Sequence, residues 1–119
     1  MALAKYKTHK DSGVQLFGDV PSHWEVKRIK DFTIRIGSGI TPKGGSSVYV
    51  DKGVTFLRSQ NVYDDGLRID NVSFISEETH DKMNSSKLKP DDVLMNITGA
   101  SIARTCLVPK NLKEANINQ

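Results

Sequence analysis

The sequence predicts a strand-rich α/β fold of the α+β kind, with a few short helices. Val and Ile together number 19, against 13 for Leu and Ala, and β-branched side chains fit a pleated, half-buried surface better than a helix. The chain of 119 residues has the size of one domain. It contains no internal repeat, no heptad pattern and no apolar run near the roughly 20 residues that a membrane helix needs.

The first half of the chain is predicted to begin as an arm and to continue into a strand. Residues 1–20 are polar with scattered apolar groups, which indicates an extended N-terminal arm. Pro21 fixes a turn, and Ser22 is expected to cap a short helical turn. Residues 32–36 alternate apolar and polar side chains with period two, which predicts a strand. A long loop rich in Gly and hydroxyl residues follows over 37–47 and is expected to be mobile.

The second half is predicted to alternate strands and turns around one helix. Residues 54–58 form the next predicted strand, which is followed by a turn at 64–66, where Gly tolerates positive φ. Residues 67–74 are predicted to form a return strand with a break at Asp70-Asn71. Ser76 is predicted to cap a helix that ends near Asn84, because acidic residues in the first turn suit the helix dipole.

The last part of the chain predicts two strands around a tight loop and the start of a third. Residues 93–97 form a buried strand by composition, 98–101 are small residues in a tight loop, and 102–108 form another strand. Residues 115–119 have the start of a strand and no closing feature. We therefore expect the domain to be incomplete at its C-terminus.

Charge and cysteine content narrow the function classes. The net charge is +3, with 10 basic and 5 acidic residues in the first 60 positions, which favours an anionic partner for that half. The N-terminus lacks the apolar segment of a secretory signal. The single cysteine, Cys106, excludes an internal disulfide framework and indicates a reducing compartment. The expected location is the cytoplasm, with no membrane partner.

Catalytic, metal and nucleotide sites find no support in the motifs. Gly39 and Gly44 have the spacing of a phosphate-binding loop, but Gly45 occupies the position where that loop needs Lys. The three histidines lie far apart, and Cys106 has no partner at metal-ligand spacing. No Gly-x-Ser-x-Gly elbow occurs. We expect no catalytic residue, no metal and no cofactor in this chain.

Two polar stretches have the residue types that read DNA. The first is Arg58, Ser59, Gln60 and Asn61 at a strand end, since Arg pairs with guanine and Gln or Asn pairs with adenine in the major groove. The alternative is a polar strand end capped by Asn.

The second stretch combines a tight loop with a basic residue. Thr98, Gly99 and Ser101 allow a backbone to approach a phosphate, and Arg104 supplies charge. The alternative is a β-turn that simply needs Gly. Lys43, Ser46 and Ser47 in the preceding loop would suit further phosphate contacts.

Taken in order, the motifs resemble the N-terminal part of the DNA-specificity (S) subunit of type I restriction-modification systems. The resemblance covers essentially the whole chain, with residues 21–119 as the first part of a target-recognition domain. The segments that carry it are 10–14, 18–21, 23–26, Gly37-Ser38-Gly39-Ile40-Thr41-Pro42, Arg58-Ser59-Gln60-Asn61-Val62, Lys89-Pro90-Asp91-Asp92-Val93-Leu94 and Asn96-Ile97-Thr98-Gly99-Ala100-Ser101-Ile102-Ala103-Arg104.

The chain departs from this family in two turns and in length. Asp92 replaces the Gly of the common Pro-Gly-Asp form, and Ala103 stands where Gly commonly precedes the Arg. Gly allows positive φ and Ala resists it, so the backbone geometry of these two turns is expected to differ from that of the family. Family members carry two target-recognition domains separated by long helices, whereas this chain has part of one domain and no helical spacer.

The resemblance implies recognition without catalysis. Such a subunit reads one half-site of double-stranded DNA per target-recognition domain. Its partners are modification (methyltransferase) subunits that hold S-adenosylmethionine, and restriction subunits that use ATP and Mg. The alternatives are a non-binding truncated fragment that needs a second chain to complete the domain, and a small nuclease. The nuclease has less support, because Pro90-Asp91 lacks the second acidic residue and Lys of a metal-dependent nuclease motif.

Overall fold

The computed structural model describes residues 6–119, which divide into two compact units. The first unit ends at Ile36 and the second covers Gly37–Gln119. In the first unit, strands β1 (His9–Asp11) and β2 (Asp19–Pro21) pair antiparallel, with Lys10 opposite Val20. The segment predicted as an extended arm therefore contains a hairpin over its described part. Residues 1–5 of the predicted arm lie outside the described residues.

The strand predicted over residues 32–36 is wrong. A 3₁₀ turn at Ile29–Asp31 precedes this segment, and residues 32–36 have no strand partner. The side chain of Phe32 is 74% exposed and that of Ile34 is fully exposed. Alternation defines two faces only where a neighbouring strand supplies hydrogen bonds, and the described residues place none beside this segment. The helical turn expected after Ser22 is a simple turn, in which the Trp24 N–H donates to the Pro21 carbonyl at 2.9 Å.

The second unit is a mixed, strand-rich assembly with one short α-helix and three small sheets among its residues. A four-stranded sheet has the order β10-β4-β7-β3, in which β10 runs parallel to β4 and the other pairs are antiparallel. Two-stranded ribbons pair β5 with β6 and β8 with β9. The elements are β3 (Tyr49–Val50), β4 (Val54–Leu57), β5 (Val62–Tyr63), β6 (Gly66–Leu67), β7 (Ser73–Ile75), α1 (Glu77–Lys82), β8 (Val93–Met95), β9 (Thr105–Leu107) and β10 (Ala115–Ile117), with 3₁₀ turns at Gly45–Val48, Ser59–Asn61 and Asn84–Ser86.

Strand β4 separates the core of this unit into two clusters. Because successive side chains of a strand point to opposite faces, Phe56 and Leu57 enter different clusters. Phe56 packs with Ile75 and Met83, whereas Leu57 packs in a second cluster. The other buried members of that second cluster are Val62, Leu94, Cys106 and Val108. Strand β4 is therefore covered on both faces.

Several local predictions are confirmed. The strand predicted over 54–58 is β4, and a turn lies at Asp64-Asp65 before β6. Helix α1 begins after Ser76, whose hydroxyl accepts a hydrogen bond from the Thr79 N–H at 3.1 Å. The helix ends at Lys82, close to the predicted end. These elements were predictable because their signals lie within a few residues of the structure they specify.

The predictions for β8 and β9 need correction. Residues 93–97 were expected to be a buried strand, but only Leu94 of β8 is buried, while Val93 and Met95 are exposed. A two-stranded ribbon buries one face only, so alternate residues remain at the surface. The strand predicted over residues 102–108 is β9, which starts at Thr105 because residues 101–103 form a turn.

Two non-glycine residues adopt the left-handed conformation. Ala103 has φ of 72°, in agreement with the expectation that this turn suits Gly. In the other turn the left-handed residue is Asp91, with φ of 68°, and not Asp92. Asp92 instead accepts a hydrogen bond from the Lys89 N–H at 2.8 Å, which closes the turn.

A buried polar network holds β10 against the rest of the second unit. Asn116 is fully buried, and its Oδ1 accepts hydrogen bonds from the Ser86 hydroxyl at 2.6 Å and from the Ile117 N–H at 3.0 Å. Its Nδ2 donates to the Met83 carbonyl at 3.1 Å and lies 3.2 Å from Nδ1 of the buried His80. One amide thereby satisfies polar groups on three parts of the chain.

No helix among residues 6–119 is long and apolar enough to cross a membrane.

Replacing Asn116 with Ala should lower the free energy of unfolding by about 2–4 kcal/mol, because several buried polar groups lose their partner. The measurement is urea-induced unfolding followed by circular dichroism. Asn118→Ala is the matched control, since among residues 6–119 the Asn118 Oδ1 accepts one exposed hydrogen bond, from the Thr41 hydroxyl. The control should cost less than about 1 kcal/mol. Equal losses for the two variants would contradict the role given to Asn116.

Candidate nucleic-acid interface

The two polar stretches singled out from the sequence meet at one cavity. It has a volume of about 360 Å³ and opens to solvent. The side chain of Asn96 joins its two walls, because its Nδ2 donates to the Ser59 carbonyl at 2.8 Å and to the Ser101 hydroxyl at 3.0 Å. We call this the recognition cavity; its lining residues are Ser59, Gln60, Tyr63, Thr98, Gly99, Ala100, Ser101 and Arg104.

The first wall comes from the 3₁₀ turn at the end of β4. The side chains of Ser59 and Gln60 are exposed there, so both are accessible to a ligand. The turn exists because Asn61 Oδ1 accepts a hydrogen bond from the Arg58 N–H at 2.9 Å, three residues earlier. A short polar side chain thus folds the backbone back on itself directly after an apolar strand.

Asn61, which the sequence predicts to contact a base, is buried and hydrogen-bonded within the chain. It is 3% exposed, and its Nδ2 donates to the Arg68 carbonyl at 2.8 Å. Both ends of the amide are therefore used within the chain, and the residue shapes the turn rather than facing a ligand. This geometry is the one that the alternative, a polar strand end capped by Asn, predicts.

Arg58 lies apart from the recognition cavity. Its guanidinium carbon is 5.6 Å from the centre of the Tyr49 ring, and its buried Nε has no hydrogen-bond partner among the described residues. Arg58 lines a second, smaller cavity of about 160 Å³ beside β8. The two cavities share Ser59 and Thr98 as lining residues.

The second wall is the tight loop after β8. Thr98 and Gly99 are exposed, and Ser101 is half-buried. Gly99 has φ of 77°, and a Cβ built on it would meet no atom within 4 Å. Gly99 is therefore needed for its backbone conformation and not for space. The loop closes where the Ala103 N–H donates to the Asn96 carbonyl at 2.8 Å.

Tyr63 is a cavity residue that the sequence reasoning missed. The guanidinium carbon of Arg104 lies 4.4 Å from the centre of its ring, and that of Arg68 lies 4.9 Å from it. Arg68 also forms a salt bridge with Asp65 at 2.8 Å. Within residues 6–119 Arg104 has no such carboxylate partner. An aromatic residue three positions after Gln60 was the available signal, but its contacts with the two arginines come from the fold.

Lys43, Ser46 and Ser47 line neither cavity. Ser46 and Ser47 lie in the 3₁₀ turn at Gly45–Val48, and Lys43 precedes it. All three residues are exposed. The Ser47 hydroxyl donates to the Gly44 carbonyl at 2.5 Å, so part of the loop expected to be mobile has regular structure.

Cys106 packs behind the recognition cavity, in the cluster around Leu57. Burial raises the pKa of its thiol, more than a hydrogen bond with the Tyr63 backbone lowers it. The group therefore stays protonated at neutral pH. Among residues 6–119, no three His, Cys, Asp or Glu side chains cluster in a way that could hold a metal ion.

No protein-family model matches the chain, and no curated protein matches it.

Replacing Ala103 with Gly should raise the free energy of unfolding by about 0.5–1 kcal/mol, because Gly adopts positive φ without the steric cost that Ala carries. Thermal unfolding would measure the shift. Ala100→Gly in the same loop is the control, since Ala100 is exposed and has no positive φ. It should give no gain and up to about 1 kcal/mol of loss, because Gly raises the entropy of the unfolded chain. A gain in both variants would contradict the explanation from φ.

Proposed function

We propose that this chain is a sequence-specific binder of double-stranded DNA that acts as a specificity subunit, or part of one, in a type I restriction-modification complex. The observation that carries the proposal is the meeting of two polar segments, one with Ser59 and one with Ser101, in one open cavity, where the buried Asn96 is hydrogen-bonded to both. The residue types of each segment predict contacts with DNA. Because both segments line one cavity, a single DNA duplex could contact both.

The side chains that line the cavity supply both kinds of contact that DNA recognition needs. Gln60 presents an amide that can donate and accept at once, which is how Gln pairs with adenine in the major groove. Hydroxyls at Ser59, Thr98 and Ser101 are of the type that contacts phosphates. Arg104 adds positive charge to the same wall.

The wider assignment rests on the resemblance of the motifs. In this proposal the chain works in the cytoplasm and contributes recognition only. Modification subunits with S-adenosylmethionine carry out methylation, and restriction subunits with ATP and Mg carry out translocation and cleavage. Lys43, Ser46 and Ser47, which are exposed but outside the cavity, remain available for phosphates further along the duplex.

Replacing Gln60 with Ala should relax one position of the DNA target. The measurement is selection from a pool of randomised duplexes with the purified chain, followed by sequencing of the bound fraction. The wild-type protein should enrich a motif, and the variant should lose preference at one base pair, at a cost of about 1–3 kcal/mol in discrimination.

Gln15→Ala is the matched control, because Gln15 is an exposed glutamine in the β1–β2 hairpin and lines neither cavity. This control should select the wild-type motif. If no motif is enriched by the wild-type protein, the proposal of sequence-specific binding is wrong. If a motif is enriched and Gln60→Ala selects the same one, the role of Gln60 is wrong while DNA recognition stands.

A further inference from the structure

Two arginines contact the Tyr63 ring, and within residues 6–119 only Arg68 of the two forms a salt bridge. Arg68 donates through Nη2 to both carboxylate oxygens of Asp65, at 3.0 and 2.8 Å. Its charge is thereby offset within the chain. Arg104 contacts the same ring at 4.4 Å and, among the described residues, has no carboxylate partner. Arg104 is therefore the cation that the recognition cavity offers to a ligand.

The Tyr63 ring restricts where the Arg104 side chain can go. Arg104 is half-buried, and the attraction between a guanidinium and an aromatic face favours one arrangement of an otherwise flexible side chain. The N–H groups at the rim of the guanidinium remain free to donate, because the ring occupies only a face. Because the Arg104 side chain is already ordered before the ligand binds, less conformational entropy is lost on binding.

The hydroxyl of Ser101 is also set up as a donor. Asn96 Nδ2 donates to Ser101 Oγ at 3.0 Å, so the hydroxyl hydrogen must be directed elsewhere. Ser101 and Arg104 line the same wall. A ligand group there meets a cation and a hydroxyl hydrogen, which together fit an oxygen that only accepts hydrogen bonds. A phosphate of the DNA backbone is such a group.

We propose that Tyr63 is a positioning residue that holds Arg104, and that Arg104 together with Ser101 binds one phosphate of the DNA backbone. The inference rests on the proposed DNA-binding function and refines it. Arg104 fixes the register of the duplex, while Gln60 on the opposite wall reads a base. The Hoogsteen edge of guanine also presents only acceptors at O6 and N7, so the experiment must separate the two.

The first experiment measures binding of Arg104→Gln to the selected duplex and to a scrambled duplex over a range of salt concentrations. Loss of one phosphate contact should weaken both complexes by a similar factor and reduce the magnitude of the salt slope by about 1. Arg68→Gln is the control and should leave the slope unchanged, because Asp65 already offsets that charge. A loss confined to the selected duplex would mean a base contact and would overturn the phosphate assignment. An equal slope change in the Arg68 variant would also overturn it.

The second experiment tests Tyr63 by a double-mutant cycle with Arg104. Tyr63→Leu should weaken DNA binding roughly three- to tenfold, and Tyr63→Phe should retain most of the affinity because the ring remains. In the Arg104→Gln background, Tyr63→Leu should have no further effect, since a positioning residue acts through its partner. Circular dichroism and thermal unfolding of each variant would establish that it is folded.

The outcomes separate the two levels of inference. If Tyr63→Leu weakens binding equally with and without Arg104, Tyr63 does not act through Arg104 and the positioning role is wrong. If Tyr63→Leu does not fold, the same cycle with Tyr63→Met decides the matter, and equal losses with and without Arg104 overturn the positioning role. Failure of the wild-type protein to bind any duplex would overturn the proposed function as a whole.

Discussion

Strand β4 is covered on both faces, and the second unit is arranged around this constraint. Phe56 on one face and Leu57 on the other belong to separate clusters, so neither face can be lost without exposing a core. The chain leaves this strand directly into the 3₁₀ turn that carries Ser59 and Gln60. A rigid strand is the best support for a polar turn that must present side chains at fixed positions. The candidate site therefore takes its precision from the core beneath it.

Three buried asparagines hold different parts of the second unit in place through hydrogen bonds. Asn116 ties β10 to the segment after α1, Asn61 folds the turn after β4, and Asn96 joins the two walls of the recognition cavity. An asparagine amide can donate and accept together, so Asn61 and Asn116 each satisfy two backbone groups that an apolar residue would leave unpaired. Asn96 donates to one backbone carbonyl and one hydroxyl. In such a chain the exposed and half-buried polar residues, and not the fully buried ones, are the candidates for ligand contact.

Structure that depends on neighbouring residues could be predicted from the sequence. Contacts between residues far apart in the sequence could not. The helix after Ser76 and the turn before Gly66 are specified by neighbouring residues, so their positions follow from the sequence. The failure at residues 32–36 has the opposite cause, because a strand needs a partner that no local pattern supplies.

The candidate site shows the same division. Gln60 and the loop around Gly99 could be singled out by residue type, and the burial of Asn61 could not, because it depends on the Arg68 carbonyl. The contact of Arg104 with Tyr63 likewise joins residues on different strands and turns. The chemistry of a side chain indicates that a residue could contact a ligand. Whether a ligand can reach that residue depends on the packing of the whole unit.

The parallel pairing of β10 with β4 has a consequence for how the protein is made. Thr55 pairs with Ala115, so the ribosome must add 60 residues after Thr55 before β10 can pair with β4. While the ribosome is still producing that stretch, β4 and β7 can pair but one edge of β4 stays open. Such an edge, backed by Phe56 and Leu57, can join with a strand from another nascent chain. Yield in the cell should therefore depend on translation speed across this interval and on chaperones that cover the open edge.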